Sequence, residues 1–222
     1  MVTPESHVRV VVRPFASALP LGFFSFAVGM LLLAGSGNGW LPVSEQHTVG
    51  LLLAAFVFPL ETIAAVVAFV ARDTFGATGL GLFSSSWLTI GLADLSSPPG
   101  EVSRALGLYD FGFAFAIAAL AVAAMLGKPL IGTILIVAAS RSALAGAYEW
   151  GAAKTAYTAA GWLALAIFAV AIYGGLAFLL EDVRQETVLP LFRRGASKES
   201  IEGDLNDQLR GLAQEAGVRQ AL

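Results

Sequence analysis

The chain has 222 residues, 57% of them hydrophobic and only 13% charged, with a mean hydropathy of +0.76. Soluble domains carry about 25% charged residues, so this balance excludes an ordinary soluble domain and indicates an all-α polytopic membrane protein. A net charge of −3 offers no basic surface for nucleic acid, and the lack of cysteine excludes a disulfide framework and a thiolate nucleophile or metal site.

Residues 1–17 are mixed polar and apolar, carry Arg9 and Arg13, and lack a signal-peptide plan. Six apolar segments follow, at about 19–36, 47–71, 76–93, 105–127, 129–150 and 159–180. Each is close to the ~20 residues a helix needs to cross the hydrocarbon core. Pro20 falls near the first helical position of span one, where its missing N–H costs nothing, and Gly35-Ser36-Gly37-Asn38-Gly39 ends that helix. Span two contains Pro59, which predicts a kink. Span three opens with Asp73-Thr74-Phe75-Gly76-Ala77-Thr78 and continues through Ser84-Ser85-Ser86-Trp87 and Thr89. Hydrocarbon gives such hydroxyls no partner, so they are expected to face other helices or a wet path. Ser96-Ser97-Pro98-Pro99-Gly100 makes a loop before span four, and Lys128-Pro129 a tight turn before span five. Small residues recur where helices must touch, among them Gly76, Gly79, Gly107, Gly112, Gly174 and Gly175. Tyr148, Trp150, Tyr157 and Trp162 fit an interfacial belt, as do Tyr109 and Asp110 near the start of span four.

From Glu181 the composition turns polar. Ile201, Leu205, Leu209 and Leu212 recur at helical spacing and predict a short amphipathic helix. The chain thus divides into an N-terminal segment (1–17), a six-helix transmembrane domain (18–180) and a polar tail (181–222). Arg9, Arg13, Arg72, Lys128, Arg184, Arg193, Arg194 and Lys198 fall on one side, against Arg104 and Lys154 on the other. The positive-inside rule places both termini in the cytoplasm.

Two ionisable residues lie deep in apolar segments: Glu61 in span two and Arg141 in span five. A charge at that depth costs at least ~2.5–3.5 kcal/mol, so each is expected to face the interior with a partner. Two readings follow. Either they form a fixed pair holding helices together, or Arg141 attracts an anion while Glu61 tunes that charge or takes up a proton. Aromatics such as Phe23, Phe26, Phe83 and Trp87 are either packing residues or a hydrophobic constriction. The chain shows no phosphate loop, no metal-ligand spacing and no Ser-His-Asp set, so no enzyme, metal or cofactor is expected.

Two motifs point to a family. Asp73-Thr74-Phe75-Gly76-Ala77-Thr78 followed by Phe83 and Trp87 resembles the third-helix signature of the acetate/succinate transporter family (YaaH-type, AceTr). Leu19-Pro20-Leu21-Gly22-Phe23 resembles its entry motif, with Ser17 and Ala18 in place of an Asn and a Pro. Ala160-Gly161-Trp162 and Thr187-Val188-Leu189-Pro190 resemble its closing pattern, so the resemblance spans roughly residues 17–192.

The resemblance implies a six-helix protomer, typically a homohexamer, that passes acetate and sometimes succinate across a plasma or bacterial-type inner membrane. Transport would be by proton-linked symport or as an anion channel. It implies a constriction at Phe26, Phe83 and Ala138, with Ala where the family usually has Leu. Thr78, Ser84, Ser85 and Ser86 would supply hydrogen bonds to a carboxylate, Arg141 its counter-charge, and Glu61, in place of a common Gln, the proton-coupling group. Two other readings stay open: a channel for a small neutral solute, and a membrane scaffold or sensor acting through the tail.

Overall fold

The computed structural model describes residues 16–71, 73–184 and 186–195. The amphipathic helix expected over residues 201–212 lies outside them. Among the described residues there are six helices: α1 (Leu19–Gly37), α2 (Val43–Val70), α3 (Thr74–Ser96), α4 (Arg104–Gly127), α5 (Pro129–Glu149) and α6 (Lys154–Arg184). Five of them are long and apolar enough to cross a membrane. The exception, α3, has the length but is diluted by its hydroxyls and glycines.

The helix starts follow local chemistry. Pro20 and Pro129 stand in the first turns of α1 and α5, where no N–H is needed. Asp73 caps α3, its Oδ1 accepting from Gly76 N–H at 3.0 Å, and Ser103 caps α4 through Leu106 N–H at 3.3 Å. The irregularity expected at Pro59 is seen as a π-helical stretch, Leu53–Val57, just ahead of it, where Phe58 N–H donates to Leu53 O.

Two helices outrun the sequence-based bounds. α2 begins earlier, in a 3-10 turn at Val43–Glu45. α6 continues past residue 180 to Arg184, because the charge at Glu181 is 9% exposed and pairs with Arg193 rather than ending the helix in water.

The main packing partners are α1 with α6, α2 with α3, and α5 with both α4 and α6. Lipid offers no hydrophobic drive between helices, so close backbone approach holds such bundles together. A Cβ at Gly37 would lie 2.7 Å from Gly161 Cα, which fixes glycine at both positions of the α1–α6 crossing. Phe26, Met30, Leu53, Val57, Trp87, Ile117 and Ile167 form the centre of the core.

After α6 the chain folds back as a strap, Thr187–Arg194. Leu191 enters the core, Pro190 O accepts from Tyr173 Oη at 2.9 Å, and Arg193 pairs with Glu181 while lying over the Phe178 ring. Arg194 N–H donates to Gly127 O at 2.9 Å, satisfying an end carbonyl of α4.

Candidate functional site

A cavity of about 50 Å³ lies among α1, α2, α3 and α5. Leu19, Gly22, Phe23 and Phe26 line it from α1, and Phe75, Gly76, Gly79, Leu80 and Phe83 from α3. Ile131, Ile134 and Leu135 of α5 close the third side, and Glu61 is the sole α2 residue in its wall. Most of the α1, α3 and α5 residues lie in the first two turns of their helices, so the cavity sits toward the end of the bundle where Asp73 and Lys128 pair at 3.5 Å.

The other end of the cavity is shut by rings. Phe26 and Phe83 meet edge to face at 4.7 Å. Phe26 also packs on Trp87 at 5.9 Å, Phe83 on Phe113 at 5.4 Å, and Phe113 on Tyr109 at 5.9 Å. These geometries are the ones aromatic pairs prefer.

Glu61 is fully buried. Trp87 Nε1 donates to its Oε2 at 2.8 Å, while Oε1 has no hydrogen-bond partner among the described residues. Trp87 is held from behind: a Cβ at Gly29 would lie 2.9 Å from its ring, so the indole fills the space a side chain there would need.

The solved structure of a bacterial acetate channel, SatP, matches this fold with a TM-score of 0.71 at 20% identity, covering 80% of this chain and 99% of that one. No curated protein matches the chain. The model of the GPR1/FUN34/yaaH family matches residues 1–193.

The chain belongs to the GPR1/FUN34/yaaH family.

The motifs that carried the family resemblance surround the cavity. Pro20 starts α1, and Gly22 lies so close to Leu80 that a Cβ would come within 2.5 Å of it. Leu21, 39% exposed, faces outward. Thr74 begins α3 behind its Asp73 cap, while Phe75 and Gly76 enter the cavity wall. Trp87 holds Glu61. The closing pattern supplies the strap and, through Gly161, the α1–α6 crossing.

Other sequence expectations fare differently. Phe26 and Phe83 do meet, but Ala138 is buried in the core and is not in the cavity wall; Leu135, one turn earlier on α5, is. The hydroxyls do not line the cavity either. Ser84 Oγ is within 2.6 Å of Thr62 Oγ1 and donates to Phe58 O at 3.2 Å. Thr78 and Ser85 are exposed and donate back to Thr74 O and Gly81 O. Ser86 is buried and interacts with Tyr109.

Glu61 and Arg141 do not pair. Glu61 faces α3, whereas Arg141 on α5 faces α4 and α6, where Asp110 and Tyr157 are its electrostatic neighbours. Arg141 is 7% exposed, makes no salt bridge among the described residues, and its Nε has no partner. Sequence reasoning missed both the Trp87–Glu61 bond and the place of Leu135.

Proposed function

We propose that this protein is a multi-pass transporter for small carboxylates, acetate first and succinate as a wider substrate. The observation that carries this reading is the cavity closed by the Phe26–Phe83 contact, on the fold of a bacterial acetate channel and within the GPR1/FUN34/yaaH family. In this reading Phe26 and Phe83 form the constriction, with Leu135 on its near side and Ala138 beyond. Separation of these rings opens the path, and hydrophobic contacts of this kind gate by excluding water.

Arg141, beyond the rings, supplies positive charge that draws an anion toward the constriction. Glu61 supplies a proton-exchanging group on the opposite side, which suits proton-linked uptake. Ser84, Ser85, Ser86 and Thr78 act as packing hydroxyls rather than as ligands of the carboxylate. All six helices span the membrane, both termini lie in the cytoplasm, and several copies assemble, as the family's hexamers do. The membrane is a plasma or bacterial-type inner membrane.

The test is uptake of labelled acetate and succinate into proteoliposomes, with and without an inward-acid gradient, after subtraction of uptake by protein-free liposomes. Acetate uptake above that control is the expected result, with stimulation by the gradient for proton-linked transport. No protein-dependent uptake of either acid overturns the proposal.

A further inference from the structure

We propose that Arg141 seats a second carboxylate subsite, on the far side of the Phe26–Phe83 contact from the cavity, and that Asp110 restricts it to ligands with one negative charge. The proposal rests on the carboxylate reading above and ranks its substrates, acetate ahead of succinate.

The position follows from the helices. The cavity wall stops at Leu135 on α5 and at Phe83 on α3. Arg141 lies nearly two turns beyond Leu135, about 9 Å along the helix axis. From the rings, Phe83 leads to Phe113, and Phe113 to Tyr109, the chain neighbour of Asp110 on α4. Gly146 admits Asp110 against α5: a Cβ on that glycine would lie 3.1 Å from Asp110 Cβ. Tyr157 of α6 completes the group and stacks on Tyr148 at 4.8 Å.

The protein leaves these groups unsatisfied. Arg141 is 7% exposed and Asp110 5%, yet neither makes an ion pair among the described residues. Arg141 Nε is sealed from water and has no hydrogen-bond partner. The terminal nitrogens of Arg141, the Asp110 oxygens and Tyr157 Oη make no hydrogen bond among the described residues either, but these atoms are not sealed. Buried polar groups in native proteins nearly always have partners, so such a cluster marks a place for water or a ligand. Nε–H and a terminal N–H, side by side, form the fork that grips both oxygens of one carboxylate.

Asp110 sets the charge. Arg141 has Asp110 of α4 and Tyr157 of α6 as its electrostatic neighbours, and Glu149 of α5 and Asp94 of α3 stand behind them. Asp94 accepts from Gln46 Nε2 at 2.8 Å, and Glu149 accepts from Ser103 N–H, so both have local partners. On α2, His47 is a neighbour of Asp94, and Glu61 is bonded to Trp87. The described residues of α1 carry no titratable side chain. Arg141 is thus one cation among carboxylates, matched to the single charge of acetate. The second carboxylate of succinate would meet Asp110 with no further cation to receive it, and like charges set together reject a ligand.

The experiment compares wild type, R141Q, R141K and D110N by saturation-transfer NMR with acetate and with succinate in detergent, and by uptake into proteoliposomes. Melting midpoints serve as the control for folding. R141Q is expected to weaken acetate binding by roughly tenfold, as for loss of a charge-assisted hydrogen bond. R141K keeps the buried charge but loses the fork, and is expected to fall between R141Q and wild type. D110N is expected to raise the succinate-to-acetate ratio by about tenfold, in binding and in uptake. Acetate binding in R141Q equal to wild type, or a D110N variant that still rejects succinate, overturns the proposal. So does the behaviour of a purely structural pair: R141Q and D110N each lower the midpoint, the double variant restores it, and ligand binding does not change. The NMR arm reads the subsite without transport, so a protein that binds acetate through Arg141 but moves none counts against the transport reading alone.

Discussion

A hydroxyl in a membrane helix is satisfied most cheaply by its own backbone, and the exposed face of α3 illustrates this. Thr78, Ser85 and Thr89 each donate to the carbonyl one turn earlier, at 2.7, 3.0 and 2.9 Å. Only part of the row of hydroxyls turns to neighbours: Ser84 meets Thr62 and Phe58 O of α2, and Ser86 meets Tyr109 of α4. The Asp73 cap is more consequential. A Cβ at Gly76 would lie 2.6 Å from Asp73 Oδ2, so Gly76→Ala pushes the carboxylate off the helix start. Loss of an Asp cap costs about 1 kcal/mol, and the denaturation midpoint of the detergent-purified variant should fall accordingly. The constriction gives a prediction of opposite sign. Phe26→Ala removes one ring of the 4.7 Å Phe26–Phe83 contact. Acetate flux in proteoliposomes is expected to rise several-fold and discrimination against larger acids to weaken. Unchanged flux and selectivity would place the barrier elsewhere.

Helices and their order were legible in the sequence because length, apolar content and proline placement act locally. What each helix faces was not. Glu61 and Arg141 looked like partners because they are the deep acid and the deep base, and depth says nothing about azimuth. The Trp87–Glu61 bond does have a faint signal. With α2 and α3 antiparallel about residue 72, residue 61 lies level with residue 83, and helical side chains lean toward the N-terminus. A long side chain one turn beyond, at 87, therefore reaches back to Glu61. Leu135 was missed for a related reason: positions 135 and 138 share a helix face, and only the packing decides which one meets the cavity. The strap was illegible because its contacts join residues that only the fold brings together. Its anchor is testable. Arg193→Ala leaves Glu181, about nine-tenths buried, without its cation. Breaking a buried pair from one side costs roughly 3 kcal/mol, so the thermal midpoint should drop clearly. The Glu181→Ala, Arg193→Ala double variant is expected to be milder than the sum. Additive losses would show that the strap is held by Leu191 and Tyr173 instead.

At the scale of the whole molecule, two outer faces differ in kind. Leu108, Phe115, Val122 and Leu126 of α4, all more than 60% exposed, make a bulky apolar stripe of the sort lipid covers. On α3, Thr74, Thr78, Gly81, Ser85 and Thr89 recur at helical spacing and make a face of small residues, which in membranes allows another helix to approach closely. Because the hydroxyls of Thr78, Ser85 and Thr89 are already bonded to their own helix, association along that part of the face gains through packing and not by rescuing unsatisfied groups. Gly81 separates assembly from folding, since a Cβ there meets nothing within 4 Å in the protomer. Gly112 on α4 is equally open and tests the neighbouring surface. On the assembly proposed above, Gly81→Trp is expected to leave the helical content and thermal midpoint of the protomer unchanged while lowering the particle mass, read by light scattering in detergent or by native mass spectrometry. Retention of the wild-type mass in Gly81→Trp, with its loss in Gly112→Leu, would move the interface from α3 to α4.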